Sequence, residues 1–227
     1  MIEATDKFIG LDGYPNGWVA VWLSGARQEI EFVPDLSTIL KLKFDRAMID
    51  MPIGMPTHGY RTCDLEARKR LSPNQSRVFL GARRSFLNCR THPEASAVAR
   101  AGDGKGVSIQ MFCILPKLKQ LDAIMSSEHQ HRLMECHPEL VFWRLHNQTA
   151  LPGKKTEGGR TLRKSLLQRA GINRLDDMLE SRMGTGAKID DVLDACACAI
   201  AARDKTSSKA ALGGETDEKG LKMKIHY

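Results

Sequence analysis

The chain has 227 residues, of which 42% are hydrophobic and 27% are charged, and its mean hydropathy is −0.33. This composition is typical of a soluble globular protein and excludes disordered and fibrous classes. At roughly 150 residues per domain, the length predicts a single domain over residues 1–227. The longest apolar run, residues 195–202, is far shorter than the roughly 20 residues that cross a bilayer. Acidic Glu3 and Asp6 stand where a signal peptide would carry positive charge, so we expect a cytoplasmic protein that makes no membrane contact.

Basic residues exceed acidic ones, 34 to 27, and the formal net charge is +7. This balance is compatible with phosphate-bearing partners. The positive charge is concentrated between Arg61 and Arg90, where the only acidic residues are Asp64 and Glu66. Two interpretations stay open for this segment, a solvated basic face and a contact with a phosphate backbone. The six cysteines include no C-x-x-C pair and are typical of small buried thiols rather than of structural zinc.

In chain order, the first half predicts short strands followed by helices. Runs of β-forming residues between turn residues predict strands at 7–12, 18–23, 29–33 and 46–51. The first three are close enough in sequence to form an antiparallel meander. Helices are predicted at 35–42, where Asp35 is a suitable N-cap, and at 63–71. The basic and poorly periodic stretch that follows, up to about Gly106, predicts loops.

The second half is mainly helical in pattern. Helices are predicted at 107–126, 138–145, 160–170 and 190–204. Pro116 must kink the first of these or divide it in two. A strand is predicted at 132–136, residues 154–159 form a polar connector, and residues 221–227 alternate as a closing edge strand does.

Acidic residues stand at the ends of predicted strands and at the start of the last helix. Asp12 ends the first strand, Asp50 the fourth and Glu135 the fifth, while Asp191 and Asp194 lie in the first turns of the alanine-rich helix. Each has an ordinary explanation as a turn, cap or helix-dipole residue. Asp194 is harder to explain in this way, because it interrupts a helix that we expect to pack tightly on a sheet. A carboxylate there needs a partner.

Taken together, these acids predict a metal site. Converging carboxylates repel one another and raise one another's pKa values unless cations neutralise them. A site of oxygen ligands alone favours Mg²⁺ or Mn²⁺. Two such ions roughly 4 Å apart activate water and stabilise the leaving oxygen in phosphodiester cleavage.

The pattern of these acids resembles the RNase H-like nuclease superfamily, and the late helix is similar to that of Holliday-junction resolvases. Seven segments stand in order along the chain: GLDGYPNGW at 10–18, IDMPIG at 49–54, RxxDxxxR at 61–68, QxxxxxPK at 110–117, ECHPE at 135–139, KKxxGG at 154–159 and DDVLDA at 190–195. In these segments the chain more closely resembles domain-of-unknown-function family 429, the predicted RNase H-like nucleases.

The resemblance implies an α/β fold, an RNase H-like mixed five-stranded sheet flanked by helices, with a basic helical or loop insertion at about 57–106 that the minimal core lacks. It implies that Asp12 and Asp50 bind the metal and that Asp191 and Asp194 complete the site. Glu135 would then be a neighbouring ligand or base, and these five acids would form the catalytic set.

The first functional hypothesis is therefore a metal-dependent nuclease that acts on DNA or RNA. The residues expected to contact nucleic-acid phosphates are Arg61, Arg68, Arg77, Arg83, Arg84, Gln110, Lys117 and the Lys154–Lys155 pair. His137 is a candidate proton shuttle, and by analogy with resolvases we expect a homodimer. Two alternatives stay open. The first hairpin also resembles the phosphate-binding hairpin of actin-like sugar kinases, which suggests a binder of small phosphates or nucleotides, and a catalytically quiet nucleic-acid-binding domain of the same fold is the other.

Overall fold

A computed structural model describes residues 6–204 and 210–227. These residues form two compact units. The first unit comprises residues 6–51, 132–204, 210–211 and 226–227, and the second comprises Pro52–His131 and Leu212–Ile225. The expected insertion at about 57–106 lies within the second unit. None of the helices formed by the described residues is long and apolar enough to cross a membrane.

Three strands open the described chain, and helices predominate from α2 to α8. The strands are β1 (Lys7–Tyr14), β2 (Gly17–Ser24), β3 (Arg27–Val33), β4 (Arg46–Ile49), β5 (Leu133–Glu135), β6 (Ala211–Thr216) and β7 (Lys222–His226). The helices are α1 (Leu36–Leu40), α2 (Thr62–Arg70), α3 (His92–Asp103), α4 (Ile109–Ile124), α5 (Pro138–Leu145), α6 (Glu157–Arg169), α7 (Leu175–Ser181) and α8 (Ile189–Arg203).

The first unit is built on a mixed five-stranded sheet in the order β3-β2-β1-β4-β5. β1 pairs antiparallel with β2, and β2 pairs antiparallel with β3. β4 runs parallel to both β1 and β5. The predicted opening meander and the mixed five-stranded sheet are thus confirmed, and the flanking helices make the fold α/β.

Helix α8 packs on β1, β2 and β4 through its small side chains. A Cβ atom added to Gly10 would lie 2.0 Å from the carbonyl oxygen of Ala195 and 2.1 Å from the amide nitrogen of Ala199. Only glycine therefore fits at this point of β1. The expectation that the alanine-rich helix lies tight against the sheet is confirmed.

This packing determines which side chains of the sheet face α8. Because side chains alternate along a strand, Asp12 faces the same side as Gly10. The parallel register of β1 and β4 places Asp50 on that side as well and Ile49 on the other. Glu135 is paired in register with Ile49, so its side chain belongs to the opposite face of the sheet from Asp12 and Asp50.

The second unit contains α2, α3 and α4 together with most of the two-stranded sheet of β6 and β7. A network of ion pairs centred on Arg84 ties its segments together. The Arg84 guanidinium donates to both carboxylate oxygens of Asp122 at 2.6 Å and also binds Asp217. Asp217 in turn accepts from the backbone N–H groups of Met55 and Leu221 at 3.0 and 2.9 Å.

Several predicted elements differ from those observed. The loop prediction is wrong over α3, where the Thr91 hydroxyl accepts from the Glu94 N–H at 3.3 Å and caps the helix. α4 continues through Pro116 and is not divided. α6 begins inside the predicted connector, and neither α7 nor β6 was predicted. β7 is confirmed as a strand, but it pairs with β6, and within the first unit an isolated bridge joins His226 to Cys136.

Candidate functional site

The first unit brings three of the five predicted acids together. Asp12 stands near the end of β1, Asp50 directly follows β4, and Asp194 lies in the second turn of α8. One carboxylate oxygen from each of the three lies within 4.8 Å of the other two. Asp12 and Asp194 are 8% and 4% exposed. We refer to Asp12, Asp50 and Asp194 as the carboxylate cluster.

Backbone hydrogen bonds hold the two strand-end members of the cluster. The N–H group of Asp50 donates to the carbonyl oxygen of Leu11 at 2.9 Å, which extends the pairing of β4 with β1 by one residue. Oδ1 of Asp12 accepts from the N–H group of Gly13 at 2.8 Å. The two carboxylates are therefore fixed side by side at the ends of adjacent parallel segments, where α/β folds commonly place ligand chemistry.

A lysine on a loop contributes positive charge to the cluster. Nζ of Lys154 lies 2.7 Å from Oδ2 of Asp194. The Lys154 side chain is 42% exposed, whereas that of Asp194 is only 5% exposed. The other oxygen of Asp194, Oδ1, is buried and accepts no hydrogen bond from the part of the chain that the structure describes. A buried carboxylate oxygen in this state favours a cationic ligand.

The loop that carries Lys154 is held by a buried ion pair. The Arg163 guanidinium makes a bidentate contact with Glu139, with distances of 2.7 and 2.8 Å from Nη2 to the two carboxylate oxygens. Its Nη1 donates to the carbonyl oxygens of Pro152 and Gly159, both at 3.0 Å. Arg163 is 0% exposed and Glu139 is 4% exposed. The pair thereby links α5 to the start of α6 and to the loop.

The electrostatics of the cluster follow from burial and from mutual repulsion. Burial raises the pKa of Asp12 well above its ordinary value, and the charges of Asp50, Asp194 and Asp191 raise it further. Burial likewise raises the pKa of Asp50, and Asp194 adds to the shift. The pKa of Asp194 is also raised by burial, although Lys154 opposes this change. The Lys154 pKa is raised, chiefly by the charge of Asp194.

Asp191 lies near the cluster but has a structural role of its own. Its Oδ2 accepts from the backbone N–H of Lys188 at 2.7 Å, and Lys188 is the N-cap residue of α8. Asp190 is the second residue of the helix, and Arg160 Nε lies 3.7 Å from its Oδ1. Asp191 contributes negative charge near Asp12 but does not belong to the carboxylate cluster.

Glu135 and His137 also lie outside the carboxylate cluster. Glu135 is 4% exposed, and the strand register assigns it to the other face of the sheet, so its expected role as a ligand beside Asp50 does not fit this geometry. Its charge nevertheless raises the pKa of Asp50. His137 is the N-cap residue of α5, and its backbone N–H donates to the carbonyl oxygen of His226 at 3.3 Å.

The residues expected to contact phosphates differ in their exposure. Lys155, in the first unit, and Gln110, in the second, are exposed, while Arg68, Arg77 and Lys117 are half-buried in the second unit. Three arginines of the second unit are engaged internally: Arg61 pairs with Asp64 at 2.9 Å, Arg83 donates to the Gly59 carbonyl oxygen at 2.7 Å, and Arg84 binds Asp122 and Asp217.

Arg61 and Arg83 are only 1% and 2% exposed, so a surface contact with phosphate does not fit these two positions. A buried guanidinium needs a partner inside the fold, which the sequence pattern of the basic segment does not reveal.

The buried Glu139–Arg163 pair was not predicted from the sequence. A signal for it exists in the sequence. Arg163 occupies the same face of α6 as Leu166 and Leu167, which are both buried. A charged residue in an apolar stripe indicates a buried partner of opposite charge.

The chain belongs to the family described as protein of unknown function (DUF429), whose model matches residues 10–217. This confirms the family that the sequence motifs predicted. No curated protein and no solved structure shows significant similarity to the chain.

Proposed function

We propose that this protein is a divalent-metal-dependent nuclease that hydrolyses phosphodiester bonds in DNA or RNA, with the carboxylate cluster as its metal site. The observation that carries the proposal is the approach of three carboxylate oxygens to within 4.8 Å of one another. Three ionised carboxylates with one ammonium group leave a formal charge of −2, which one divalent cation would neutralise. Without a cation, this concentration of buried charge is costly.

The donor set fits a hard divalent ion. All three ligands are carboxylate oxygens, which Mg²⁺ and Mn²⁺ favour. One oxygen from each carboxylate lies within 4.8 Å of the other two, so the three residues would hold a single ion between them. Oδ1 of Asp194 is buried and accepts no hydrogen bond from the described residues, which leaves it available as a ligand.

The topology of the sheet also supports a metal-dependent nuclease. The sheet order β3-β2-β1-β4-β5, with antiparallel pairing of the first three strands and parallel pairing of β4 with its neighbours, is similar to that of RNase H-like nucleases. Asp12, Asp50 and Asp194 would hold the ion. A bound Mg²⁺ or Mn²⁺ would polarise phosphoryl oxygens and generate a hydroxide nucleophile from water. Asp191 would add negative charge that favours retention of the ion.

The first test is isothermal titration of Mn²⁺ into the wild-type protein and into Asp12→Asn, Asp50→Asn and Asp194→Asn variants. Asp177→Asn is the matched control, because this aspartate has a side chain that is 62% exposed and pairs with Arg174 at the surface. We expect binding in the wild type and the control, and loss of binding in all three cluster variants. Retention of wild-type affinity in the cluster variants would refute the metal site.

The second test addresses the substrate. Labelled single-stranded, duplex and branched DNA and RNA are incubated with the protein in Mg²⁺, in Mn²⁺ and in EDTA, and the cleavage products are separated on denaturing gels. We expect metal-dependent cleavage of at least one substrate and none by Asp50→Asn. A protein that binds Mn²⁺ through the cluster and cleaves none of these substrates would refute the nuclease activity and leave the metal site standing.

A further inference from the structure

We propose that Lys154 acts as an exchangeable cation of the carboxylate cluster: its ammonium group offsets part of the cluster's negative charge in the metal-free protein, leaves Asp194 when a divalent ion binds, and then contacts a phosphate of the nucleic acid. This inference rests on the proposed function and assigns to it a substrate-positioning residue.

The Lys154 ammonium group lies where a divalent ion held by the carboxylate cluster would repel it. Nζ of Lys154 is 2.7 Å from Oδ2 of Asp194, and Asp194 is itself within 4.8 Å of the other two carboxylates. An ammonium group at this point and a divalent ion on the same carboxylates would repel each other, since both are cations within a few ångströms. Binding of the ion therefore opposes the Lys154–Asp194 contact.

Asp194 and Lys154 differ in how far their side chains can move. Asp194 is fixed on α8 with a side chain that is 5% exposed, whereas Lys154 reaches the cluster from a loop with a side chain that is 42% exposed. A lysine has four rotatable bonds and can move its charge by several ångströms without moving its backbone. Lys154 is therefore the partner that can move into solvent.

The backbone of the loop that carries Lys154 is held in place. Arg163 bonds the carbonyl oxygen of Pro152, two residues before Lys154. In the first turn of α6, a Cβ atom on Gly159 would lie 2.1 Å from the carbonyl oxygen of Gly153, so glycine at 159 permits this close approach of the helix to the loop. The Lys154 side chain would thus pivot on a fixed base and remain beside the site after it leaves Asp194. A phosphate held at the metal would be the nearest anion for it.

The test compares Lys154→Gln with wild type in two measurements, with Lys164→Gln as the matched control. Lys164 is a close match because its side chain is 38% exposed and its Nζ pairs with Asp176 at 3.2 Å. In titrations without nucleic acid, we expect Mn²⁺ to bind Lys154→Gln at least about tenfold more tightly than wild type, because a competing positive charge has been removed. Lys164→Gln and Lys154→Arg should retain the wild-type affinity.

The second measurement is binding of a labelled phosphorothioate oligonucleotide, which resists cleavage, in saturating Mn²⁺ at several salt concentrations. We expect Lys154→Gln to bind more weakly and to lower the slope of log K against log salt by about one, as loss of a single phosphate contact does. An unchanged slope would overturn the phosphate contact.

The failure of this inference is distinct from the failure of the proposed function. If wild-type protein binds Mn²⁺ and Lys154→Gln binds it equally or more weakly, Lys154 orients Asp194 rather than competing with the metal, and the inference is wrong although the metal site stands. If neither binds Mn²⁺, the metal site and the inference are both wrong. Binding by Lys154→Gln alone would support the competition.

Discussion

Replacement of Asp50 by asparagine should stabilise the metal-free protein. The amide has nearly the shape of the carboxylate and keeps the backbone hydrogen bond to Leu11, so the main change is the loss of one negative charge. At an effective dielectric constant of about 20, two unit charges 4.8 Å apart repel each other by about 3.5 kcal/mol. Asp50 is repelled by Asp194, Glu135 and Glu139 and attracted by Lys154, and Asp12 and Asp50 repel each other.

The repulsion from the two cluster partners, offset by the attraction to Lys154, gives a net gain of up to about 3 kcal/mol on removal of the Asp50 charge. For a chain of this length, 1 kcal/mol shifts the melting temperature by about 2–4 °C. The melting temperature of Asp50→Asn in EDTA at neutral pH should therefore exceed that of wild type by up to roughly 10 °C. Thermal unfolding followed by circular dichroism measures this difference. The control variant Asp177→Asn, changed at an exposed position, should have nearly the melting temperature of wild type.

The pH dependence of the melting temperature tests whether the charge of Asp50 causes this difference. Burial and neighbouring carboxylates raise the pKa of folded Asp50 above its ordinary value near 3.8. An acid with a higher pKa in the folded than in the unfolded state binds its proton more tightly when folded. Its destabilising effect is therefore fully present above the folded pKa, and it disappears as the pH falls through that value towards the ordinary one.

The melting temperatures of wild type and Asp50→Asn should thus converge as the pH is lowered. Mn²⁺ at about 1,000 times its Kd should stabilise only the wild type, by about 4.1 kcal/mol, and so reverse their order. A metal-free variant that is less stable than wild type, by an amount independent of pH, would refute the reasoning.

Three further outcomes follow from the first unit. Mn²⁺ at about 100 times its Kd should stabilise the wild type by about 2.7 kcal/mol, and Asp12→Asn should lose this gain in thermal melts; an equal gain in the variant would exclude Asp12 as a ligand. Arg163→Met should cost about 3–5 kcal/mol in urea unfolding, because it leaves Glu139 buried without its counter-charge. Arg27→Met, which breaks an exposed pair, should cost at most about 1 kcal/mol, and similar costs for the two would contradict the role of burial. Gly10→Ala should destabilise by at least about 1–3 kcal/mol through overlap with α8, and a wild-type midpoint in urea would show that the helix moves away freely.

Local sequence patterns predicted the order of most elements correctly. The turn residues between β1 and β2, the Asp35 cap of α1 and Pro138 at the start of α5 act through neighbouring backbone groups, so they can be recognised without knowledge of the fold. The loop prediction over α3 failed because it extended the interpretation of the basic segment at 61–90 to a helix that follows this segment and has its own cap at Thr91. The two glycines inside β6 are unfavourable in a strand, and its pairing with β7 overrides that preference.

The residues of the candidate site also divide into those that local sequence patterns predict and those that depend on the tertiary structure. The positions of Asp12 and Asp50 at strand ends and of Asp194 on a small-residue helix were predictable, because each is a local feature of its own segment. Glu135 is also a strand-end acid, and its sequence context does not distinguish it from Asp50. The strand register separates them, since a shift of one residue moves a side chain to the other face of a sheet.

Sequence motifs predicted the family, and the resemblance to that family implied the mixed five-stranded sheet. The acids at the ends of strands and helices could be predicted because strand periodicity, caps and turns act over a few residues. Which of these acids lie on the same face of the sheet, and which basic side chain pairs with each of them, became known only from the tertiary structure. Lys154 meets Asp194 across 40 positions of the chain, and Arg163 meets Glu139 across 24. Such contacts depend on how α5, α6 and α8 pack, and packing arises from the summed burial of many apolar side chains rather than from any single motif.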